Sequence, residues 1–537
     1  MIRLHEIKLR AGESESRLPG KVERRLGLPK GSILGVRIVK ESLDAREKPD
    51  VYRVFSLDVE SDLPDHTLLL AAKNKKMKAA EVNEQPYVSP EMTREMKHRP
   101  VVVGFGPCGI FAALTLANYG LKPIVIERGA MMEQRIEAVE NFWNGGKLDP
   151  NANVQFGEGG AGTFSDGKLT TGTKDAAQRI VLEAFVDAGA SPAILYRQKP
   201  HIGTDVIRRA VVEIRRKLLA MGTQFRFNTT MKSVEIEDGA VKGVIVRTGF
   251  ADELIETDTV ILALGHSSRD SFAMLNEKGL KMEQKQFSMG VRIEHPQKMI
   301  DMAQYGALSS DLGIGPADYK LAVRTAEGRG VYTFCMCPGG YVVASASGEG
   351  QVVTNGMSES LRDGENSNSA LLVDVLTSDF GGDDPLAGVR FQEKYEHLAF
   401  EAGGGNYKAP AQKVGDFLGK EITKPCGGPV PTYRPGVTWT ELDKCLPDFV
   451  ANSIREALPM LERKMHGFAA PDAVMTAIES RSSSPVRIRR GPDGCALTAD
   501  GGTIRGLFPA GEGAGYAGGI MSSAVDGIHA AEHAATI

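Results

Sequence analysis

Aromatic residues make up only 6% of this 537-residue chain, and just 2 residues are tryptophan. No aromatic motif of the kind that stacks nucleobases occurs, so a nucleic-acid partner is not expected. Cysteine is scarce too, with 6 in all: Cys108, Cys335, Cys337, Cys426, Cys445 and Cys495. So few in so long a chain exclude a disulfide framework. Without a Cys-x-x-Cys pair they do not read as a zinc site, and no metal is expected. No apolar run approaches the roughly 18 residues of a membrane span. The opening MIRLHEIKLRAGESES has no stretch that reads as a signal peptide. Charge of one sign is also missing: 64 Lys and Arg against 68 Asp and Glu give −4, too balanced for a dedicated polyanion binder. These absences point to a reduced, cytoplasmic protein with no membrane partner.

Glycine is what the chain has in excess, 61 residues or about 11%, against an average near 7%. With no collagen-like period, such glycines belong at tight turns, where they are bunched. The 42% hydrophobic and 25% charged content is that of an ordinary globular protein. The length corresponds to roughly three to four domains. Residues 1–97 stand apart, because the first 100 residues carry 20 basic against 16 acidic side chains while the remainder is acidic. Residues 2–9, 33–39 and 51–59 read as strands, with helices at 19–28 and 65–76 between and after them. That order predicts a small ferredoxin-like α+β layer, followed by a linker over 82–100. The lysines at 73, 75, 76 and 78 read as a solvated helix edge or, alternatively, an RNA contact.

The informative stretch begins at Arg99. Arg99-Pro-Val-Val-Val-Gly-Phe-Gly-Pro-Cys-Gly is an apolar strand running into Gly104-x-Gly106-x-x-Gly109, with Pro107 and Cys108 inside the turn. A helical pattern follows (Ile110, Leu114, Leu116, Ala117), then a strand over 123–126 ending in Glu127 and Arg128. This is the setting a dinucleotide-binding fingerprint needs. Gly104 permits the turn, Gly106 lets backbone approach a pyrophosphate, and Gly109 lets helix pack on strand. The free amides of the helix N-terminus then face the phosphates. Glu127, 18 residues past Gly109, stands where a carboxylate accepts from the adenosine ribose. A helix N-terminus could also lower the thiol pKa of Cys108, although close packing is the alternative reading.

Two later segments extend the pattern. Asp258-Thr-Val-Ile-Leu-Ala-Leu-Gly-His266 is a buried strand ending in a glycine turn, after a β-meander expected over 224–228, 232–237 and 241–247. Residues 506–527 read as a strand, an acidic turn at Gly511-Glu512 and a glycine-opened helix at Gly518-Gly519-Ile520. With these segments the chain resembles the glutathione-reductase-like FAD superfamily. The resemblance implies FAD, bound non-covalently. Its ADP half would lie on Gly104, Gly106, Gly109 and Glu127, and Ala263 and Gly265 would close the site. Gly511 and Glu512 would hold the ribityl chain, with Glu512 where the family more often has Asp. Gly518, Gly519 and Ile520 would offer amides to the flavin pyrimidine, where a helix N-terminus stabilises negative charge. No second GxGxxG follows a strand, so NAD(P)H is expected only as an external reductant.

The loop Val154-Gln-Phe-Gly-Glu-Gly-Gly-Ala-Gly-Thr-Phe-Ser-Asp-Gly-Lys-Leu-Thr170 holds five glycines in eleven residues, too many for a helix or strand interior. It suits backbone passing close to a flat ring, with Gly160, Ala161, Gly162, Thr163, Asp166 and Lys168 as cofactor contacts; a plain surface loop is the alternative. Together with Glu401-Ala-Gly-Gly-Gly-Asn-Tyr-Lys, Phe334-Cys-Met-Cys-Pro-Gly-Gly340 and Glu479-Ser-Arg-Ser-Ser-Ser-Pro, this loop is similar to one bacterial and plastid family. That family is labelled FAD-dependent, or NAD(FAD)-utilising, dehydrogenase, a label that names no substrate. The likeness spans essentially the whole chain.

For catalysis the sequence offers His266, beside the cofactor turn, as a proton donor or a loop-binding histidine. Cys335 and Cys337 share a strand face. A direct bridge between them would need a bend, and they read either as inert thiols or as a redox pair. Arg481, Arg487, Arg489 and Arg490 form a basic cluster, and Arg481, Arg487 and Tyr407 are the substrate candidates; Trp143 offers another stacking surface. The expected fold class is α/β: a discontinuous Rossmann-like FAD-binding domain, a β-rich substrate cap and the small N-terminal domain. The expected boundaries are 1–97 for the N-terminal domain and linker, 98–170, 200–279 and 495–537 for the FAD domain, and 171–199 and 280–494 for the cap. The expected function is an FAD-dependent oxidoreductase or dehydrogenase moving hydride between flavin and a small molecule. The alternatives are an RNA-associated flavoprotein and a non-catalytic FAD sensor.

Overall fold

The computed structural model describes residues 1–83, 85–419 and 428–537, so Cys426 lies outside the described residues. The N-terminal layer runs β1 (Ile2–Arg10), α1 (Leu18–Leu26), β2 (Ile33–Glu47), β3 (Asp50–Ser61), α2 (Asp65–Asn74) and β4 (Ala79–Glu81). Its sheet order β2-β3-β1-β4 is that of a ferredoxin-like layer. Ile2 and Leu4 point inward, and the pairing of β1 with β3 slips between Leu4 and Ile7. That slip, with Glu6 at φ 60, keeps Ile7 and Leu9 on the core side against Val22, Leu26, Phe55, Leu57 and Leu68. The linker that follows is pinned to the C-terminal helix: Tyr87 Oη donates to Glu532 over 2.7 Å, and the amides of Thr93 and Arg94 donate to Ala535 O.

The second body is built around a five-stranded parallel sheet. Its elements are β5 (Val101–Val103), α3 (Pro107–Asn118), β6 (Ile124–Ile126), α4 (Met132–Trp143), α5 (Gln178–Asp187), α6 (Thr204–Ala220) and β7 (Gln224–Arg226). The chain then forms an antiparallel meander, β8 (Thr229–Glu237), β9 (Ala240–Thr248) and β10 (Ala251–Glu256), before β11 (Val260–Leu262) and α7 (Arg269–Glu277). The parallel order is Leu507–Pro509, β11, β5, β6, β7, so strands far apart in sequence are neighbours. β5 and β11 are buried throughout, as strands covered on both faces must be. The expected meander is shifted. Residues 224–226 pair with β6 in the parallel sheet, and the meander runs over 229–256. A three-residue strand carries no periodicity that could assign it to either sheet.

α3 buries ten consecutive residues, Cys108 to Ala117, because sheet covers one side and helix Ile520–Thr536 the other. α6 is amphipathic, burying Ile207, Ala210, Val211, Ile214 and Leu218 at helical spacing. The cap is a mainly antiparallel seven-stranded sheet in the order Ala322–Arg324, Gly330–Cys337, Asn366–Val375, Phe287–Pro296, Val474–Glu479, Ala409–Lys413, Val437–Trp439. Its central strand Phe287–Pro296 is buried from Phe287 to His295. Helix Asp448–Lys464 closes one face with Val450, Ile454, Leu458 and Leu461. Among the described residues no helix is long and apolar enough to cross a membrane, and no cluster of His, Cys, Asp and Glu could hold a metal ion.

Candidate functional site

The first wall of the site follows from the turn after β5. Gly104 has φ 100, and its amide donates to Ile126 O at 2.7 Å. A Cβ on Gly109 would stand 1.9 Å from Gly104 O, so this position accepts only glycine if α3 is to pack on the turn. Gly106 differs, because a Cβ there would meet nothing in the protein nearer than the Gly160 Cα at 3.7 Å. The protein's own packing therefore does not require glycine at 106, and the position opens onto the cavity. Gly106, Pro107 and Cys108 line a cavity of about 750 Å³, and the N-cap Gly106 brings no side chain to the first α3 amides. A phosphate-sized anion fits that backbone cradle. The Cys108 thiol is not activated there. Burial pushes its pKa well up, and its Cβ and Sγ would stand 2.8 and 2.9 Å from a Cβ on Gly511, which is close packing.

Glu127 is 5% exposed and lines the same cavity at the end of β6. Its Oε2 accepts from the Phe105 amide and its Oε1 from the amides of Gly129 and Gly157, all at 2.9 Å. The carboxylate thus ties three loops together and leaves one of its roughly four lone-pair sites, on Oε2, unused. The glycine loop is held from behind by Arg135, which is fully buried on α4. Arg135 donates to the carbonyls of Asn153, Val154 and Glu158 and to Thr163 Oγ1, at 2.6 to 2.9 Å. Burial drives its pKa down to about 9 while Glu127 opposes the shift. Gly160, Ala161 and Gly162 then face the cavity in one 3₁₀ turn, Gly160–Phe164.

The opposite wall comes from the C-terminal segment and β11. Ala263, Gly265, Glu512, Gly518, Gly519 and Ile520 all line the cavity. Helix Ile520–Thr536 starts with Gly519 as its N-cap, so its first amides open toward the cavity. Burial pushes the Glu512 carboxyl up to about 7, with Lys285 acting against it. Glycine turns, amide cradle and carboxylates together fit a dinucleotide with a second ring system.

The cap supplies the remaining side. Phe334, Cys335, Glu479, Arg481 and Arg362 reach the cavity there. Asp166 is fully buried; Arg362 Nε donates to it at 3.0 Å, Ser358 Oγ at 2.6 Å, and Lys168 Nζ stands 2.8 Å away. Burial works to raise the Asp166 pKa, but Lys168 and Arg362 hold it down to about 2. Arg481 and Arg269 both pair with Glu396 at 2.8 to 2.9 Å. His266 lines the cavity with Nδ1 2.9 Å from Ser267 Oγ. Burial, then the positive Arg481 and Arg269, hold its pKa down to about 3, so near neutral pH it carries no imidazolium proton to give.

Several expected residues lie elsewhere. Tyr407 packs edge-on against Phe142 and Phe400 in the cap core and accepts from the Gly350 amide, outside the cavity lining. Arg487 donates to Gly515 O and lies over the Tyr516 ring, bracing the C-terminal turn without reaching the cavity. Arg489 pairs with Glu283 and Arg490 with Asp526. Trp143 is buried, its Nε1 donating to Ala344 O. Gly109, Thr163 and Gly511 stand behind the lining, and Cys337 is buried beneath Cys335. Residues that local patterns did not disclose are Arg135, Gln155, Thr229, Met231, Arg362 and Glu479; all but Arg135 line the cavity. Gln155 and Glu479 fall in quoted segments without being singled out there, and the other four sit in no motif. Arg135 could have been noticed only as a charged residue on the apolar side of α4.

Residues 286–482 match the family described as FAD-dependent protein, C-terminal domain-like, and residues 1–60 match Domain of unknown function (DUF8436). Among solved structures, 3-ketosteroid-Δ4-(5α)-dehydrogenase from Rhodococcus jostii is 12% identical, with a TM-score of 0.35 over 83% of this chain and 99% of that one. A geranylgeranyl bacteriochlorophyll reductase-like protein from Thermoplasma acidophilum is 12% identical, with a TM-score of 0.36 over 81% and 77%. A Clostridium beijerinckii protein named as an uncharacterized protein is 45% identical over 533 residues, 99% of this chain and 98% of its own. The chain belongs to the family of that clostridial protein.

Proposed function

We propose that the chain binds FAD non-covalently and is an oxidoreductase that moves hydride between flavin and a small molecule seated under the cap. One observation carries the reading: a single cavity runs from the Gly106 amide cradle to the cap strand Gly330–Cys337. FAD supplies a ring that accepts and delivers hydride. The chain's own residues hold and orient it. The α3 amides take the pyrophosphate, Glu127 the ribose and Glu512 the ribityl chain. The helix opening at Gly519 sets its partial positive charge against the electron-rich edge of the ring. Phe334 and Arg481 border the space left for substrate, and the cap sheet excludes water from it. NAD(P)H, entering from outside, is the proposed reductant, and the cytoplasm the proposed compartment. The test is anaerobic titration of the purified yellow protein with NADH, NADPH and reduced ferredoxin. Bleaching of the flavin absorbance by one of them is expected; a bound flavin that none of them bleaches would favour a non-catalytic FAD sensor.

A further inference from the structure

Strand Gly330–Cys337 leaves register with its neighbour at its cavity end. Phe334 faces Ala370 and Cys337 faces Asn368, so three steps on one strand match two on the other. The extra residue is absorbed by a bulge in which Cys335 has φ 44, a left-handed conformation rare for a residue with a Cβ. In a straight strand, cysteines two apart sit near the outer limit for a disulfide. The bulge supplies the bend that closing the pair needs. Cys337 Sγ donates to Cys335 O at 3.2 Å, which folds the second thiol back over the first residue. Cys335 lines the cavity, whereas Cys337 is buried behind it.

The surroundings favour a thiolate at the cavity-facing member, Cys335. Lys168 Nζ donates to the carbonyl of Met336, between the two cysteines, and Arg292 donates to Cys335 O at 2.9 Å. Facing these cations are Asp166, paired with Lys168 and Arg362, and Glu479, paired with Arg292. The neutral hydroxyl of Tyr319 stands near Cys337. The neighbouring Cys337 thiol lowers the Cys335 pKa well below the usual thiol range. Burial opposes that shift, and Lys168 and Arg292 reinforce it. The same pairing raises the Cys337 pKa.

We propose that Cys335 and Cys337 are a redox dithiol open to the cavity, with Cys335 as nucleophile, Cys337 as resolving thiol and a disulfide compound as substrate class. The proposal rests on the cavity being the place where substrate meets flavin. Cys335 sulfur attacks one sulfur of the substrate disulfide, forming a mixed disulfide and releasing one thiolate. Cys337 gives up its proton and attacks the Cys335 sulfur, which breaks the mixed disulfide and frees the second half of the substrate as a thiol. In sum, two cysteine thiols lose two electrons and two protons to become one disulfide, and the substrate disulfide gains them as two thiols.

The probe is dithiobis-nitrobenzoate, added to reduced, desalted, flavin-loaded protein, with peptide mass analysis of the products. Wild type is expected to release thionitrobenzoate in two linked steps and to end with a Cys335–Cys337 disulfide. Cys337→Ser should stop at the mixed disulfide on Cys335, and Cys335→Ser should lose the fast phase. At pH 6, iodoacetamide should modify wild-type Cys335 at least about tenfold faster than a free cysteine peptide. Yellow wild-type protein with no fast release, or with a mixed disulfide that persists, would overturn the dithiol and leave the flavin reading standing. Protein that takes up no FAD would defeat the flavin reading, whatever its thiols do.

Discussion

A Cβ placed on Gly104 would stand 2.3 Å from the carbonyl oxygen of Ala263, which joins the end of β5 to the end of β11 through a contact only glycine permits. Since Gly104 also has φ 100, Gly104→Ala adds backbone strain to a steric clash. We predict a loss of about 3 kcal/mol in urea unfolding, with or without added cofactor. An unchanged midpoint would mean that β5 and β11 do not meet as described.

Arg135 donates to four backbone carbonyls and one hydroxyl in and beside the glycine loop from a fully buried position. Arg135→Met strands those carbonyls, and a destabilisation of about 3 kcal/mol is expected, together with faster proteolytic cleavage within 153–163. Protease resistance equal to wild type would show that the loop orders itself.

Asp166 holds the cap through Ser358 and Arg362 and the glycine loop through Lys168. Asp166→Asn leaves two cations without their buried counter-charge, so a cost of about 4 kcal/mol is expected in denaturant unfolding. A loss below about 1 kcal/mol would argue that solvent reaches the cluster.

His529 pairs with Glu532 at 3.1 Å and Asp175 at 2.9 Å. The bond to Glu532 raises its pKa, burial opposes, and Asp175 adds to the rise, which ends at about 9. A pKa above the unfolded value near 6.5 means stability present in full below about pH 6.5 and lost as pH climbs through about 9. With the side chain 34% exposed, solvent reduces the effect to about 1 kcal/mol. His529→Gln should therefore cost that much at pH 6 and nothing by pH 10; an equal deficit at both would exclude the ion pair as its source.

The legibility of this molecule in its sequence follows the range of each signal. Gly104, Gly106, Gly109 and Glu127 were readable because a turn between strand and helix is a local pattern, and all four stand at or behind the cavity wall. Tyr407 and Arg487 lie outside the cavity lining, because a glycine-rich or basic neighbourhood says nothing of the direction in which a side chain points. His266 lines the cavity, but its charge state depends on burial and on Arg481 and Arg269, the first of these arginines 215 residues away. The bend at Cys335 comes from cross-strand register, which no single segment encodes.

The most direct measurement is FAD titration of apoprotein from the wild type and from Gly106→Val, followed by flavin fluorescence and by circular dichroism. A Cβ at 106 finds room in the protein, with nothing nearer than 3.7 Å, so both chains should fold alike. The wild type is predicted to quench one equivalent of flavin, and the variant to leave it free. A folded wild type that leaves FAD fluorescence unchanged, or a variant that binds as the wild type does, would contradict the assignment of the α3 cradle to the pyrophosphate.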